Sequence, residues 1–553
     1  MTAIAWFSIL VELLHSTLNI ILLVSNTATT DARVMKQAQA LINQGHHVRI
    51  YGRSQEGFSD KETIYGIEIF RLPMMDVDLI SDNDVNIINL IEKNKIVPEE
   101  LAKELRTRLQ KLIDARNELE VTMRIRTVAR QTINQGVEKT EEFKNRKKIL
   151  LKLIKNSKKN KVLKFIIKIK SILFIARDPE RELVELDLKI KDLNISKQHE
   201  KTRVAEREKN FPKKDSLEKI REEIFFCRHL LFASRIFSIP HDIKPDVVHS
   251  HDLYPLLAAI LLARKTQAKV IFDAHEIETE RVPPLSPERK KFIDILERSL
   301  LEKTDHVITV CESAADFYHQ RFKKRKPVVV MNAPDYNPLA TDGVINIRKL
   351  AGISTDTPMV IYTGIVSREA RGMDRAVLAL VELEGVHLSI LGPRHQKNDQ
   401  WLRDKANEAG VEDRLHFIPS VPAYQVVPTI ESADVGICII QDVSLSYRYA
   451  MPNKLFEMAF AEVPIVVSNL PEMGNFITEL GNGIVVDQTN PKDIAKGIKE
   501  VLQNREKYQI TEKSRNTLHT KYSWGTQSKA LEKAYIEILG APKFDTKCRF
   551  RDF

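Results

Sequence analysis

The sequence predicts an α/β protein of two doubly wound domains, the first interrupted by a long helical insertion. Three observations carry this. Strand-length apolar runs alternate with amphipathic helical stretches from Asn19 to Leu72, and again from Asp246 to Asn332. The alternation restarts at Pro358 and continues to Asp487, after a stretch with Pro334, Pro338 and Gly343 that suits a linker. Between residues 85 and 235 it vanishes, replaced by charged, almost glycine-free sequence with apolar residues at helical spacing, as in Leu101, Leu105, Leu109 and Leu112. At 553 residues the chain is too long for a single core.

The first unit starts with NIILLVS, a run suited to a strand buried on both faces. Asp31 then caps a helix with apolar positions Val34, Ala38, Leu41 and Ile42, Gly45 ends it, and VRIY returns as a strand. IEIFRL continues the series. After the insertion come the strands DVVHSHD, KVIFDAHE, HVITVCE and PVVVMN, with helices between them. The second unit reads MVIYTG, VHLSILG, RLHFIPS, DVGICII, PIVVSN and GIVVD as strands, with a helix carrying Glu457 before PIVVSN. The predicted boundaries are 18–83 and 236–335 for the first domain, 84–235 for the insertion, 340–521 for the second domain and 522–540 for a closing helix.

The charge is unevenly placed. The net charge is +10, but residues 85–235 hold 38 Lys/Arg against 23 Asp/Glu, leaving the rest of the chain slightly acidic. Within the insertion, Phe143 to Arg177 has thirteen basic residues and no acidic one. On a helical wheel Val162, Phe165, Ile166, Ile169, Ile172 and Leu173 share one face, with Lys161, Lys164 and Lys168 opposite. Such a segment fits an anionic membrane surface, each cation adding about 1 kcal/mol near the lipid. A lysine face over an intramolecular core is the competing reading. Nucleic acid is not the expected partner, because the interleaved residues are Ile and Leu rather than stacking aromatics.

Four scattered cysteines without a C-x-x-C pair fit a reducing cytoplasm, with the inner face of the cell membrane as the expected docking surface. The apolar N-terminal run AIAWFSILVELL contains Glu12 and lacks a basic leader, so it reads as a helix near the first strand or an upstream start, with a membrane-touching helix as the alternative, rather than as a signal peptide.

Open α/β sheets bind ligands beyond the carboxyl ends of their strands. There the second domain carries Gly364, Gly392 and the loop Tyr447–Lys454. Arg368 and Arg371 precede a helix start at Gly372; a glycine loop with cations suits a diphosphate, with ordinary surface arginines as the alternative. Glu457, one turn into its helix, can accept both hydroxyls of a ribose, or pair with Lys454 on the same helix. In the first domain Asp273, His275 and Glu276 end a strand, and Asp252 follows His251, placed either to orient it or to cap the next helix.

These residues reach a family. GIVSREARG, LSILG and MPNKLFEMAFAEVPIVVSNLPEM, in that order, resemble the C-terminal half of retaining GT-B glycosyltransferases, close to glycosyltransferase family 4. TTDARVMKQAQALINQGHHV, DVVHSHDLYPLL, DAHEIE and VITVCESAADFY resemble its acceptor domain, and YSW with the following helix its closing helix. The resemblance covers about 18–83 and 236–540 and implies two Rossmann-like domains (GT-B). It implies sugar transfer with retention from a UDP- or GDP-sugar to a glycan or lipid-linked acceptor, as in cell-envelope polysaccharide synthesis. The nucleotide sugar is a substrate, and no cofactor is expected.

By position, the resemblance assigns Glu457 to the ribose, Arg371 and more weakly Lys454 to the diphosphate, and His251 to the face of the transferred sugar. The expected donor set is Gly364, Arg368, Arg371, Tyr449, Asn453, Lys454, Leu455 and Glu457; the expected catalytic set is His251, Asp273, His275 and Glu276. Two positions depart from the family: Ile365 replaces an arginine, and Tyr449 replaces the first glutamate of an E-x7-E pair. Asp76 and Asp78, with Asp82 and Asp84 nearby, lack the surrounding order of a metal-dependent nucleotide site, so no metal is expected. Two rivals stand beside transfer: a sugar-nucleotide 2-epimerase of the same architecture, and a membrane-docked scaffold without catalysis.

Overall fold

The computed structural model describes residues 17–73, 82–115, 214–239, 242–334 and 344–539, with scattered helical positions between 140 and 198. The apolar N-terminal run, Asp76 and Asp78, most of Phe143–Arg177 and the centre of the linker lie outside the described residues.

The first sheet has eight strands: β1 (Asn19–Leu23), β2 (His47–Arg53), β3 (Lys61–Ile64), β4 (Ile67–Leu72), β5 (Val247–His251), β6 (Lys269–Ala274), β7 (His306–Thr309) and β8 (Val328–Val329). Their order is β3-β4-β2-β1-β5-β6-β7-β8, parallel except for the antiparallel pair of β3 and β4. The second sheet holds β9 (Met359–Thr363), β10 (His387–Leu391), β11 (Leu415–Ile418), β12 (Val435–Cys438), β13 (Ile465–Ser468) and β14 (Gly483–Val486) in the order β11-β10-β9-β12-β13-β14, all parallel. Strand order reverses between β1 and β5 in one sheet and between β9 and β12 in the other. Such switch points open the crevices where α/β sheets bind ligands.

β1 and β9 are apolar along most of their length because helices cover both faces: Ile20 to Leu23 and Met359 to Tyr362 are all buried. Asp31 caps the helix Ala32–Asn43, accepting from the backbone N–H groups of Arg33 (3.1 Å) and Val34 (3.2 Å). The helix Trp524–Leu539 lies on the first sheet domain, burying Trp524, Leu531, Ala534 and Tyr535 in the same core as Ile20, Val34 and Ile271. The helix before it, Glu512–Tyr522, packs Leu518 and Tyr522 against Phe456 and Phe476 of the second domain. The chain thus returns to its first domain at Ser523.

Inside the 84–235 boundaries expected for the insertion, Arg106–Cys227 forms a compact unit of its own. In it the Arg108 guanidinium sits 3.5 Å from the Phe226 ring centroid and 3.2 Å from the Glu223 carboxylate. The helix Asp82–Lys93 belongs with the sheet domains instead; it buries Ile87, Ile88 and Ile91, and its Asp84 lies 3.4 Å from Arg235. Among the described residues no helix is long and apolar enough to cross a membrane.

Candidate functional site

A cavity of about 680 Å³ opens at the carboxyl ends of both sheets and is lined from both domains. That volume is in the range of small-molecule sites.

On the second-domain wall, β9 ends at Thr363 and the chain turns at Gly364 with φ +118°. A Cβ there would lie 3.2 Å from the Lys454 ammonium, so the missing side chain is what lets this lysine reach the cavity. Lys454, from the helix Asn453–Phe460, stands 3.7 Å above the ring of Tyr362. One turn on, Glu457 accepts a 2.8 Å hydrogen bond from the Thr363 hydroxyl. Burial raises its carboxyl above the usual range, against the Thr363 hydrogen bond and the charge of Lys454. Lys454 therefore pairs with an aromatic face rather than with Glu457. Arg371 also lines the cavity. It is carried there by Gly372 (φ +65°), where a Cβ would meet the Ile439 carbonyl at 2.2 Å. Among the described residues neither Arg371 nor Lys454 has a carboxylate within ion-pair distance.

Of the expected donor set, Gly364, Arg371, Tyr449, Asn453, Lys454 and Glu457 line the cavity, whereas Arg368 and Leu455 do not. Arg368 donates to the Lys397 carbonyl at 3.3 Å and lies over Trp401; Leu455 is fully buried in the core. Ile365 also lines the cavity and is 53% exposed, so the position that carries an arginine in the family holds an open apolar side chain here.

The first-domain wall is built on a buried hub. Asp273, at the end of β6, is fully enclosed; it receives Arg33 through Nε (2.9 Å) and Nη2 (2.7 Å) and the Gln37 amide at 2.8 Å. Burial alone would raise its carboxyl, but Arg33 and His275 hold it well below the usual range. His275, just past the strand, lines the cavity; its Nε2 lies 3.4 Å from Asp273 and 3.2 Å from His251 Nδ1. Burial disfavours the His275 imidazolium, but Asp252 and then Asp273 outweigh it and raise the pKa to about 9. His251 is 1% exposed and does not line the cavity; burial lowers its pKa, so it is neutral. Of the four expected catalytic residues, His275 and Glu276 face the cavity, while His251 and Asp273 lie behind His275.

His249, His251 and Asp273 offer three ligand atoms within 4.8 Å of one another. Both Asp273 oxygens already accept from Arg33 or Gln37, so a divalent cation would have to displace a guanidinium, and this donor set does not fit one.

Several cavity residues carry no motif of their own. Thr363 and Cys311 sit at or just past strand ends, where position alone could have suggested them. Ser446 and Tyr449 bridge the walls. The backbone N–H of Ile277 donates to Ser446 Oγ (2.9 Å), which donates back to the Ile277 carbonyl (3.1 Å). The Cys311 thiol donates to the Tyr449 carbonyl at 3.1 Å; burial pushes that thiol up to about 12, keeping it neutral.

Comparison with known proteins agrees with this architecture. The family model described as Glycosyltransferase Family 4 matches residues 203–336, and that described as Glycosyl transferases group 1 matches residues 344–517. The chain is 25% identical over 312 residues to an uncharacterised glycosyltransferase of Methanocaldococcus jannaschii, covering 54% of this chain and 77% of the relative. It is 23% identical over 301 residues to the glycogen synthase of Mycobacterium tuberculosis, covering 53% of this chain and 69% of that one. In fold it is similar to a sucrose-phosphate synthase from Thermosynechococcus elongatus, with a TM-score of 0.57 at 13% identity over 95% of this chain and 100% of the other. A glycosyltransferase from Rickettsia africae gives a TM-score of 0.52 at 12% identity, with the same coverage. With two parallel-sheet domains enclosing one cavity and both domain models matched in order, the chain is a GT-B glycosyltransferase.

Proposed function

We propose that this glycosyltransferase transfers a sugar, with retention and without a metal ion, from a UDP- or GDP-sugar bound against β9 and the Asn453–Phe460 helix. The observation that carries the reading is the grouping at the end of β9. Two cations without carboxylate partners, Arg371 and Lys454, stand beside a half-buried carboxylate, Glu457, which Thr363 holds by its hydroxyl. Glu457 takes the ribose hydroxyls. Arg371 and Lys454 stabilise the charge that develops on the departing diphosphate, the task a metal ion performs elsewhere. The acceptor hydroxyl attacks from the face the diphosphate leaves, and the leaving phosphate takes its proton. Closing the walls excludes water, whose attack would hydrolyse the donor.

A 2-epimerase needs a protein base at the sugar. The acids beside His275 are the candidates: Asp273 is enclosed behind it and held by Arg33, and Glu276, which lines the cavity, is ion-paired with Arg281 at 3.1 Å. His275 is held protonated and His251 is buried out of the cavity. This favours transfer.

The acceptor in this proposal is a glycan or lipid-linked saccharide of the cell envelope, met at the inner membrane face through the basic segment 143–177. The support is its thirteen basic residues with no acid. Flotation with anionic and neutral vesicles tests the membrane step; binding unchanged after deletion of 143–177 would sink it. A binding screen of UDP- and GDP-sugars with wild type and Glu457→Ala tests the donor step. Loss across every sugar of one base is expected, and equal affinity in the variant refutes the ribose role.

A further inference from the structure

The left-handed residue at the end of β5 does work that no sequence motif assigns to it. Asp252 has φ +67°, a conformation uncommon outside glycine and one that asparagine and aspartate tolerate best. Its backbone N–H donates to the Asp273 carbonyl at 2.9 Å, and its own carbonyl accepts from the Ser250 hydroxyl at 3.1 Å, so the turn is held from both sides. In that setting the carboxylate does not address His251, its neighbour in sequence. It reaches across to the next strand: Oδ1 accepts from the backbone N–H of His275 at 3.1 Å, and Oδ2 lies 3.6 Å from the ring Nδ1.

We propose that Asp252 is a positioning residue of the transfer site, holding His275 by main chain and ring together so that the ring is fixed at the cavity wall. The inference rests on the transfer reading above. His275 is 17% exposed at its side chain, and the other carboxylate beside it, Asp273, is shared with Arg33 and Gln37. Asp252, 27% exposed, lies beside this ring without an ion pair to Arg33 among the described residues. The remaining charged and titratable groups around the ring are His251 and His249 on β5, Arg33 on the Ala32–Asn43 helix, and that helix's cap Asp31. The net effect is a fixed cation on the first-domain wall of a cavity whose second-domain wall already carries Arg371 and Lys454. Both ring nitrogens of His275 are turned to Asp252, Asp273 and His251, so it acts on a group entering between the walls, such as the donor's leaving phosphate, through its charge, while Arg371 and Lys454 supply the hydrogen bonds.

The test is an imidazole titration of the full-length protein labelled with 15N-histidine, the His275 signals being assigned by their loss in His275→Gln. In wild type the ring stays protonated through neutral pH. In Asp252→Asn, which tolerates the same backbone, the midpoint is expected to fall by about one unit or more. The alkaline limb of kcat should fall with it, while the donor KM stays within about twofold. Asp252→Ser provides the same readout if the asparagine variant folds poorly. A His275 midpoint in both variants equal to that of wild type overturns the proposal. Wild-type protein that binds no nucleotide sugar defeats the transfer reading instead, and the titration still decides whether Asp252 holds the ring.

Discussion

Arg33 and Asp273 meet in two parallel hydrogen bonds of 2.9 and 2.7 Å inside a wall where neither side chain is more than 2% exposed. The pair joins the Ala32–Asn43 helix to β6, 240 residues apart. Arg33 also donates to the Val330 carbonyl at 2.6 Å, at the exit of the first domain. Removing the arginine leaves a buried carboxylate with only the Gln37 amide and the histidines. Arg33→Met is therefore expected to cost about 3–5 kcal/mol of stability. Urea unfolding measures this, and a loss below about 1 kcal/mol would mean that the hub is not a structural keystone.

Glu457→Ala removes the carboxylate proposed to hold both ribose hydroxyls. Charge-assisted hydrogen bonds of this kind are worth enough that nucleotide-sugar affinity should fall by about 10- to 100-fold, read by calorimetry. Thr363→Val, which frees that carboxylate from its 2.8 Å bond, should weaken binding in the same direction by a smaller factor.

Gly364→Ala combines two costs, a left-handed backbone at φ +118° and a Cβ at 3.2 Å from Lys454. Gly385→Ala carries only the first, since nothing lies within 4 Å of its added Cβ. Both should destabilise by about 1 kcal/mol or more, but only Gly364→Ala should also lower donor affinity. Equal donor affinity in the two variants would count against Lys454 as a phosphate contact.

Stability should peak near pH 6.5 and fall on either side. Burial lowers the folded-state pKa of His46 to about 4 and also depresses His229, His249, His251 and His306. Their stability is present above the free-histidine value and is lost as pH drops through it. Burial raises Glu278 to about 7 and Glu297 to about 8, and the neighbouring carboxylates raise His275 to about 9. The stability these three provide is present at low pH and declines as pH climbs towards those values. Glu297→Gln should therefore stabilise the protein relative to wild type above pH 8, by about 1 kcal/mol or more, with no gain at pH 5. Thermal midpoints at the two pH values decide it.

Both sheets were legible because most of their strands are short apolar runs separated by helical repeats. The exception is Lys61–Ile64. It lies at the sheet edge with no buried face, so its alternation of exposed and half-buried residues leaves no apolar signal. Within the site, the sequence placed His251 and His275 at the ends of adjacent strands, and the resemblance put His251 at the transferred sugar. Register sets their exposure: His251 pairs with Asp273 inside the sheet, whereas His275 lies one residue beyond its strand and turns to the cavity. Arg368 and Arg371 both lie between Gly364 and Gly372 in sequence. The left-handed turn at Ala370 (φ +59°) and Gly372 separates them, sending one to the cavity and the other to Trp401. Leu455 sits next to Lys454, yet the helical rotation of one residue sends it into the core.

The contact between Cys311 and residue 449 runs through a backbone oxygen, so the side chain at 449 is not needed to hold the two walls together there. Selection could exchange a carboxylate for the tyrosine, or the reverse, without undoing that bridge. The contact that joins the walls is therefore indifferent to which side chain position 449 carries.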